Sequence, residues 1–414
     1  MSTVVSETPL PDLSDPATFV DAVPYEAFKR IREKPGLYWQ PTELSTVNGG
    51  YWAVTRFKDI QQLEKNVEVF TSTQGAAYPL MTREPMTSPH GDVLIHTDPP
   101  RHARLRRAAA GGFGPRVVQH FEPWVREIVD EVIEGVADKD EFDYVEEFAR
   151  TVPAYVIGRV LGVPRSDRKK MVDWTIASFN ATQQRKPDEK GEAGLHAIQE
   201  AQAEMVEYAL QMQAYKREHP AEDMFTELGA LVEDGTLSST EFVRWMVLMM
   251  SAGFETTHTV IGQSMRMYLE DTDVREKVDR AIANGESELV AKEFIRMISP
   301  AIQMARTATT DIEFAGTQVR KGDVMVLYFA AANRDETVFD NPDTFDPWRK
   351  ETVTLAFGSG IHRCIGSYLA ILEIQVLFEE LAARNIQLKL NGTPERGWSN
   401  FINQLQALPV AREK

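Results

Sequence analysis

The sequence predicts a mainly α-helical protein with small β-sheets, folded as one compact unit. Amphipathic patterns typical of helices recur along most of the 414 residues. Clusters of β-branched and aromatic residues are short, as in "YWAVT" (Tyr51 to Thr55) and "VMVLYF" (Val324 to Phe329). Long linkers are few, and no repeat of solenoid period occurs. We therefore expect a single domain over residues 1–414, with a tail over about residues 1–20.

Bulk composition excludes several classes of protein. With 43% hydrophobic residues, the chain can bury a large core. Its one cysteine excludes internal disulfides, cysteine-only zinc sites and iron–sulfur clusters with several cysteine ligands. A formal net charge of −17 argues against nucleic acid or an anionic membrane as a partner. The start has no basic or apolar segment typical of a signal peptide, and "WMVLMMSAGF" is too short to span a bilayer. We expect a soluble, cytoplasmic protein without membrane insertion.

Three further segments have clear local patterns. Residues 117–136, "VVQHFEPWVREIVDEVIEGV", and residues 375–385, "QVLFEELAARN", predict amphipathic helices. Residues 183–194, "QQRKPDEKGEAG", predict a loop, either a lid over a pocket or a plain surface loop.

The longest helix is predicted over "STEFVRWMVLMMSAGFETTHTVIGQSMRMYLED". Ser238 and Glu241 fit a capping box, and no helix breaker other than tolerated glycines follows until Leu269. At about 1.5 Å per residue the helix is roughly 43 Å long, enough to cross a domain. Phe242 to Met250 is apolar on nearly every side, which indicates a central, buried helix.

Polar residues interrupt this helix at "SAGFETT". A buried carboxylate is costly without partners, so Glu255 needs a neighbour, water or a function. The Thr256 hydroxyl can bond back to the carbonyl of Ala252 and, with Gly253, loosen the helix. Two interpretations stay open: a kink whose acid is satisfied by an arginine, and a polar notch in an apolar wall.

The lone cysteine, Cys364, lies in "TLAFGSGIHRCIGSYLA". A dinucleotide-binding motif fails here because Arg363 replaces the third glycine. A cysteine nucleophile needs a histidine base; His362 is a poor one because sequence neighbours rarely face each other, and a distant histidine stays open. A third interpretation is a glycine loop against a flat, bulky group. N–H groups of the helix that begins near Gly366 would then favour a metal-binding thiolate.

Four segments together resemble the cytochrome P450 family. "FGSGIHRC" followed by "IG" resembles its haem-binding signature, and "AGFETT" resembles its oxygen-binding motif. "EFIR" resembles its Glu-x-x-Arg pair, and "DPPRHARLRR" resembles its propionate-binding helix start. The resemblance runs from "YEAFKRIRE" to "LPVAREK". "NRDETVFDNPDTF" and "PERGWSNFINQLQALPV" look most like bacterial members that hydroxylate alkanes, fatty acids, terpenes or steroid side chains.

The resemblance implies a single-domain P450 fold with the long central helix over haem b, and it assigns the site residues. Cys364 is the expected iron ligand, and its thiolate favours O–O cleavage. Glu255 and Thr256 are expected to pass protons to O2 held near Ala252 and Gly253. Glu293 and Arg296 are expected to form a structural ion pair. Ile371 stands where arginine is frequent, which affects no chemistry. The residues expected to hold haem and its propionates are His102, Arg106, Arg306, Phe357, Gly358, His362 and Gly366.

Partners and substrate follow from the same resemblance. The chain has no room for a flavin domain, so ferredoxin and ferredoxin reductase are expected to supply electrons from NAD(P)H to a monomer. Arg101, Arg104, Arg107 and Arg363 could form a basic patch for ferredoxin, or pair with acids. An apolar pocket suits a hydrocarbon-like substrate. Its expected lining, where each position could also be plain core, is Tyr78, Leu248, Ser251, Ile302, Met304, Phe401 and Ile402.

The expected function is O2-dependent hydroxylation of a terpenoid, steroid, fatty acid or alkyl chain. Two alternatives remain: a peroxide-using or rearranging haem-thiolate enzyme, and a non-catalytic haem protein that binds ligands. The Glu255–Thr256 pair favours the O2-activating enzyme.

Overall fold

A computed structural model describes residues 9–43, 48–79, 93–183 and 192–413. The helices are α1 (Tyr25–Arg32), α2 (Phe57–Lys65), α3 (Arg101–Ala110), α4 (Pro115–Gln119), α5 (Glu122–Gly135), α6 (Thr151–Leu161), α7 (Arg168–Gln183), α8 (Glu192–Glu218), α9 (Met224–Glu233), α10 (Ser239–Glu270), α11 (Thr272–Ala283), α12 (Ser287–Ile298), α13 (Phe329–Ala332) and α14 (Ser367–Ala383). The strands are β1 (Tyr38–Pro41), β2 (Gly50–Val54), β3 (Phe70–Thr71), β4 (Glu141–Asp143), β5 (Met304–Ala308), β6 (Ile312–Phe314), β7 (Thr317–Val319), β8 (Val324–Leu327), β9 (Leu388–Leu390), β10 (Glu395–Arg396), β11 (Leu405–Ala407) and β12 (Pro409–Arg412).

The strands form small sheets beside the helices, which confirms the predicted fold class. The largest sheet has the order β1-β2-β8-β5-β3, and β2 runs parallel to β8. The two predicted β segments are β2 and β8, within one or two residues at their ends. A second sheet, β4-β12-β9, joins the end of the chain to its middle. The predicted loop over residues 183–194 is wrong at its ends, where Gln183 belongs to α7 and residues 192–194 belong to α8; the segment 184–191 lies outside the described residues.

Helix α10 is the predicted central helix. The Ser238 hydroxyl accepts from the Glu241 N–H, and the Glu241 carboxylate accepts from the Ser238 N–H, which completes the capping box. The helix packs against α6, α8 and α12, so its apolar first half is buried as predicted. Within the described residues no helix is both long and apolar enough to cross a bilayer.

The segment 117–136 is two helices rather than the single helix predicted. Helix α4 ends at Gln119, and α5 begins at Glu122 with Pro123 in its first turn. Proline has no N–H to donate and its ring disfavours a helical residue before it, so it starts a helix and does not continue one. The amphipathic pattern continues across the break because both helices bury their apolar side chains in the same core.

Glu241 gives a testable pH dependence of stability. Burial raises its pKa, but hydrogen bonds from Arg104 and Ser238, together with Arg101, bring the pKa down to about 2. A carboxylate with a depressed folded-state pKa stabilises the protein above its unfolded pKa, near 4.5, and loses this contribution as pH falls toward 2. We expect Glu241→Gln to lower the free energy of unfolding by about 1–3 kcal/mol at pH 7. In urea titrations from pH 7 to 3.5, the difference in the free energy of unfolding between the wild type and Glu241→Gln should shrink below pH 4.5. A difference that stays constant with pH would show that it does not come from the depressed pKa of Glu241.

Candidate active site

One cavity lies between α10 and the loop that carries Cys364. Its unfilled space is about 1450 Å³, including the part that opens to solvent. Of the residues predicted from the sequence, those that line it are Arg106, Leu248, Ala252, Gly253, Thr256, Met304, Arg306, Phe357, Gly358, His362, Arg363, Cys364 and Gly366. The structure therefore brings most of the expected haem and oxygen residues to one cavity, from segments more than 250 residues apart.

Glycines shape the loop around Cys364. Gly358 and Gly360 have φ of +64° and +62°, where other residues are strained. The N–H of Cys364 donates to the carbonyl of Phe357 at 2.8 Å, which closes the turn. A Cβ at Gly366 would meet no atom within 4 Å, although Gly366 lines the cavity. The loop thus leaves unfilled space next to the sulfur, as a flat cofactor requires.

The environment of the Cys364 sulfur contains opposing influences. Cys364 is exposed to the cavity, but the protein around its sulfur desolvates the thiol and raises its pKa, whereas the N–H of Gly366 and the charges of Arg106 and Arg363 lower it. The predicted N–H donor at the helix start is therefore present, but desolvation outweighs it in the protein alone. Because a metal binds the thiolate, iron ligation here requires release of a proton.

Cations and neutral imidazoles surround the same end of the cavity. Burial and the nearby Arg306, His102 and Arg106 lower the pKa of His362 to about 2, so its ring is neutral at pH 7. His362 Nε2 lies 3.2 Å from the Ser72 hydroxyl. The buried His102 does not line the cavity; its ring packs against that of His362 at 4.4 Å. His102 Nε2 has no hydrogen-bond partner among the described residues. Two guanidiniums and an unsatisfied imidazole fit the two propionates of haem.

Glu64 also lines this end of the cavity, and the sequence analysis missed it. Its Oε2 accepts from both the N–H and the hydroxyl of Ser359 at 2.7 Å, and its Oε1 lies 3.7 Å from Arg306 Nη2. The sequence did contain a pattern that indicates burial of this acid, because Glu64 follows Phe57 and Ile60 on the apolar face of α2. An acid on an apolar helix face needs a partner in another segment.

Glu373 is a second buried acid at the cavity that the sequence analysis missed. It lies in α14, and burial raises the pKa of its carboxyl well above the usual range. Its Oε2 has no hydrogen-bond partner within the described part of the chain. Burial therefore disfavours the charged form of this carboxyl.

The polar notch in α10 has the predicted backbone contact. The Thr256 hydroxyl donates to the Ala252 carbonyl at 3.1 Å, and both residues line the cavity. A Cβ at Gly253 would lie 3.1 Å from Ile157 Cγ1, so glycine lets α6 approach closely here.

Glu255 faces a different side of α10 from Thr256. It is buried and does not line the cavity, and its Oε1 lies 3.8 Å from Nδ1 of the buried His258. Burial lowers the pKa of the nearby Arg150, while the carboxylates of Glu255 and Asp143 raise it. The acid thus has an arginine in its neighbourhood, as one of the two interpretations expected, and it adjoins the notch.

The predicted substrate residues divide into two groups. Leu248 and Met304 line the cavity. Tyr78, Ser251, Ile302, Phe401 and Ile402 are not among the cavity-lining residues that the structure describes. Tyr78 packs on Tyr51, and Ile302 is wholly buried in the same core cluster. Ile402 forms a backbone bridge to Ala301, which does line the cavity.

Several lining residues were missing from the sequence analysis. On α10, Trp245 and Met249 stand with Leu248, Ala252 and Thr256 on one face at three- and four-residue spacing, a pattern that was available in the sequence. The others come from segments whose approach depends on tertiary structure. They include Leu94, Ile95, Phe113 and Ala301.

Glu293 and Arg296 pair with each other in the buried end of α12. Arg296 Nε and Nη2 donate to the two carboxylate oxygens of Glu293 at 2.9 and 2.8 Å. Arg349 Nε donates to the same carboxylate at 3.0 Å. Arg296 Nη1 reaches the carbonyls of Asn333 and Pro342. The pair ties α12 to the segments before the Cys364 loop.

Two of the four arginines of the predicted basic patch pair with an acid. Arg101 and Arg104 both donate to Glu241. Arg107 and Arg363 are exposed. Glu241 lies 137 residues from Arg104, so the sequence did not show this pairing.

The fold and the site together define a haem-thiolate protein. The family model for Cytochrome P450 matches residues 62–384, and the chain belongs to the cytochrome P450 family. It is 30% identical to a "Steroid C26-monooxygenase" of Rhodococcus jostii, over 98% of this chain and 86% of that protein. It is 31% identical to a protein of the same name from Mycobacterium tuberculosis, over 95% and 92%. Its fold matches a Mycobacterium marinum P450, CYP268A2, solved with pseudoionone (TM-score 0.85, 25% identity, 98% and 100% covered).

Membership of the family confirms the enzyme class. The protein is a haem-thiolate monooxygenase that uses haem b and O2. It acts on apolar molecules and needs a redox partner for electrons.

Proposed function

We propose that this monooxygenase, a single domain over residues 1–414, hydroxylates an elongated apolar molecule, with the alkyl side chain of a steroid as the first candidate. One observation carries the proposal: Cys364 and the apolar stripe of α10 line the same cavity. Apart from the cations and a few polar groups, most of the cavity lining is apolar. The apolar lining residues include Leu94, Ile95, Trp245, Leu248, Met249, Ala301 and Met304.

Names of similar proteins support the choice of substrate class. Two relatives at 30–31% identity are called steroid C26-monooxygenases, and a P450 with a similar fold was solved with the apolar ligand pseudoionone. A terpenoid, a fatty acid and an alkane are the other candidates because they present the same apolar surface to the cavity.

The protein's own residues would hold the cofactor and position oxygen. Haem b, when bound through Cys364, supplies the iron at which O2 is activated. Arg106, Arg306 and His362 would bind its propionates, with His102 behind His362. Phe357 would cover one face of the ring and exclude water from the sulfur. Ala252 and Gly253 present no bulky side chain to the cavity, which leaves room for a small ligand.

Thr256 and Glu255 would bring a proton to the cavity. Thr256 is a polar residue of α10 that lines the cavity, and the bond from its hydroxyl to the Ala252 carbonyl orients that hydroxyl. Glu255, beside Arg150 and His258, would exchange the proton with the outside of the helix. Because the two groups lie on adjacent faces, water would complete the path between them.

Electrons would come from NAD(P)H through a ferredoxin reductase and a ferredoxin. Arg107 and Arg363 are exposed cations, and Arg363 precedes the iron ligand directly. They would attract an acidic ferredoxin to the side of the protein nearest the iron, despite the overall charge of −17.

Two spectra test the proposal. A reduced carbon-monoxide difference spectrum should show the red-shifted Soret band of a thiolate-ligated haem. Titration with a sterol, a fatty acid, a terpene and an alkane should then shift the ferric spin state most strongly for the steroid. A larger shift with another ligand would replace the steroid, and turnover with peroxide but not with NADH and ferredoxin would favour the peroxide-using alternative.

We expect Thr256→Ala to uncouple electron use from product formation. The variant loses the hydroxyl that passes protons, so substrate binding should persist while hydrogen peroxide replaces product. The ratio of product formed to NADH consumed should fall by about tenfold or more, in line with the usual contribution of a proton-transfer group. Ser264→Ala is a matched control, since it removes a hydroxyl that bonds back to Ile261 in the same helix, away from the cavity. Equal coupling in the wild type and Thr256→Ala would rule out the proton role.

A further inference from the structure

Glu64 binds the Cys364 loop through both its side chain and its main chain. The N–H and the hydroxyl of Ser359 donate to one carboxylate oxygen at 2.7 Å. Gly360 has φ of +62°, and a Cβ there would lie 2.5 Å from the carbonyl oxygen of Glu64. A Cβ at Gly358 would lie 3.4 Å from Glu64 Oε1. Three successive loop residues therefore rest on the last turn of α2.

The other carboxylate oxygen of Glu64 faces Arg306. Oε1 lies 3.7 Å from Arg306 Nη2, and both side chains are almost fully buried. Burial raises the pKa of Glu64, whereas Arg306 and the bonds from Ser359 lower it. Burial lowers the pKa of Arg306, whereas the Glu64 and Asp98 carboxylates raise it. A carboxylate in this position counteracts the effect of burial on Arg306 and connects it to the loop that carries the proposed iron ligand.

A negative charge at this end of the cavity affects the reduction potential of a centre bound there. Adding an electron to a buried centre is less favourable when a carboxylate lies nearby and more favourable when a guanidinium is unpaired. Glu64 supplies the carboxylate and pairs with the guanidinium. The negative charge of Glu64 and its pairing with Arg306 both disfavour the reduced state of the bound centre.

We propose that Glu64 is a positioning residue for the haem iron: it holds the Cys364 loop through Ser359 and lowers the reduction potential of the iron through its charge and its pairing with Arg306. The inference rests on the proposed role of Cys364 as the iron ligand. It gives a function to an acid for which the family resemblance supplied none.

Redox titration of the haem-loaded protein tests the charge. We expect Glu64→Gln to raise the ferrous-to-ferric ratio at the wild-type midpoint by at least about threefold. The amide oxygen can still accept from Ser359, so the red-shifted carbon-monoxide band should be retained. Glu68→Gln is the control, because it removes the same formal charge from an exposed side chain four residues away. An unchanged ratio in Glu64→Gln, or an equal change in Glu68→Gln, would overturn the proposal.

The carbon-monoxide spectrum tests the hold on the loop. Glu64→Leu removes both the charge and the acceptor, and we expect at least about half of its reduced carbon-monoxide complex to lose the red-shifted band. If this variant does not fold, Ser359→Ala removes the hydroxyl donor and should produce a smaller loss of the same kind. A full red-shifted band in folded Glu64→Leu and in Ser359→Ala would overturn the proposal that Glu64 holds the Cys364 loop. A wild type that lacks the band would overturn the role of Cys364 as well, so the two failures are distinguishable.

Discussion

Replacement of Cys364 by serine should abolish NADH-driven hydroxylation and remove the red-shifted carbon-monoxide band. The serine hydroxyl stays protonated near neutral pH and donates far less electron density to iron than a thiolate. We expect turnover to fall by more than about a hundredfold, which is the upper end of the loss caused by removing an outer-shell partner of a metal ligand. Product assays with saturating ferredoxin and the carbon-monoxide spectrum of the same sample measure the two effects.

Because Cys364 is the single cysteine, thiol labelling gives an independent test of its role. The chain contains one cysteine, so a thiol reagent should label one site per apoprotein, none in the haem-loaded protein and none in Cys364→Ser. Tyr368→Phe is a suitable control because Tyr368 is exposed, lies four residues away and does not line the cavity. Retained hydroxylation in Cys364→Ser, or labelling of the haem-loaded wild type, would refute the ligand assignment.

The second large effect is expected at Arg296. Its guanidinium bonds both oxygens of Glu293 and two backbone carbonyls, all in the protein interior. Lysine cannot make this planar set of bonds, and the Glu293 carboxylate would lose two of its donors. We expect Arg296→Lys to lower the free energy of unfolding by about 3–5 kcal/mol and to reduce the haem content of the purified protein.

A surface ion pair on the same helix provides the comparison. Lys292 and Glu288 pair on the exposed side of α12 at 2.6 Å. Lys292→Gln should cost less than about 1 kcal/mol, because exposed ion pairs contribute little. Urea titrations followed by tryptophan fluorescence, with haem-to-protein ratios, measure both variants. Equal losses in the two variants would mean that the Glu293–Arg296 pair does not hold the segment before the Cys364 loop.

Features set by neighbouring residues were accessible from the sequence. The capping box at Ser238 and Glu241 predicted the start of α10, and "FGSGIHRC" predicted both a glycine turn and a cysteine beside a helix start. Thr256 bonds to Ala252 as four-residue spacing predicts. These contacts depend on torsion angles and hydrogen bonds within one segment, which residue types control directly.

Features that depend on distant segments were not accessible. The sequence showed Arg101 and Arg104 as cations, but the approach of α3 to the start of α10 gives them Glu241. Helix α10 was predicted, but its rotation decides that Glu255 faces Arg150 and not the cavity. For Glu64, the pattern indicated burial, while its contact with Ser359 spans 295 residues. Tertiary packing determines which distant residues Glu241, Glu255 and Glu64 contact, and a local sequence pattern does not contain that information.

The placement of Glu255 and Thr256 on different faces of α10 separates two properties of the enzyme. Leu248, Ala252 and Thr256 line the cavity in which the proposed substrate would bind, whereas Glu255, with His258 and Arg150 near it, does not. Mutations on the rear face can therefore change how efficiently electrons are used without changing which molecules fit, and mutations on the front face can do the reverse. An enzyme built in this way can acquire a new substrate while its supply of protons stays intact, and directed evolution could adjust the two faces in separate libraries.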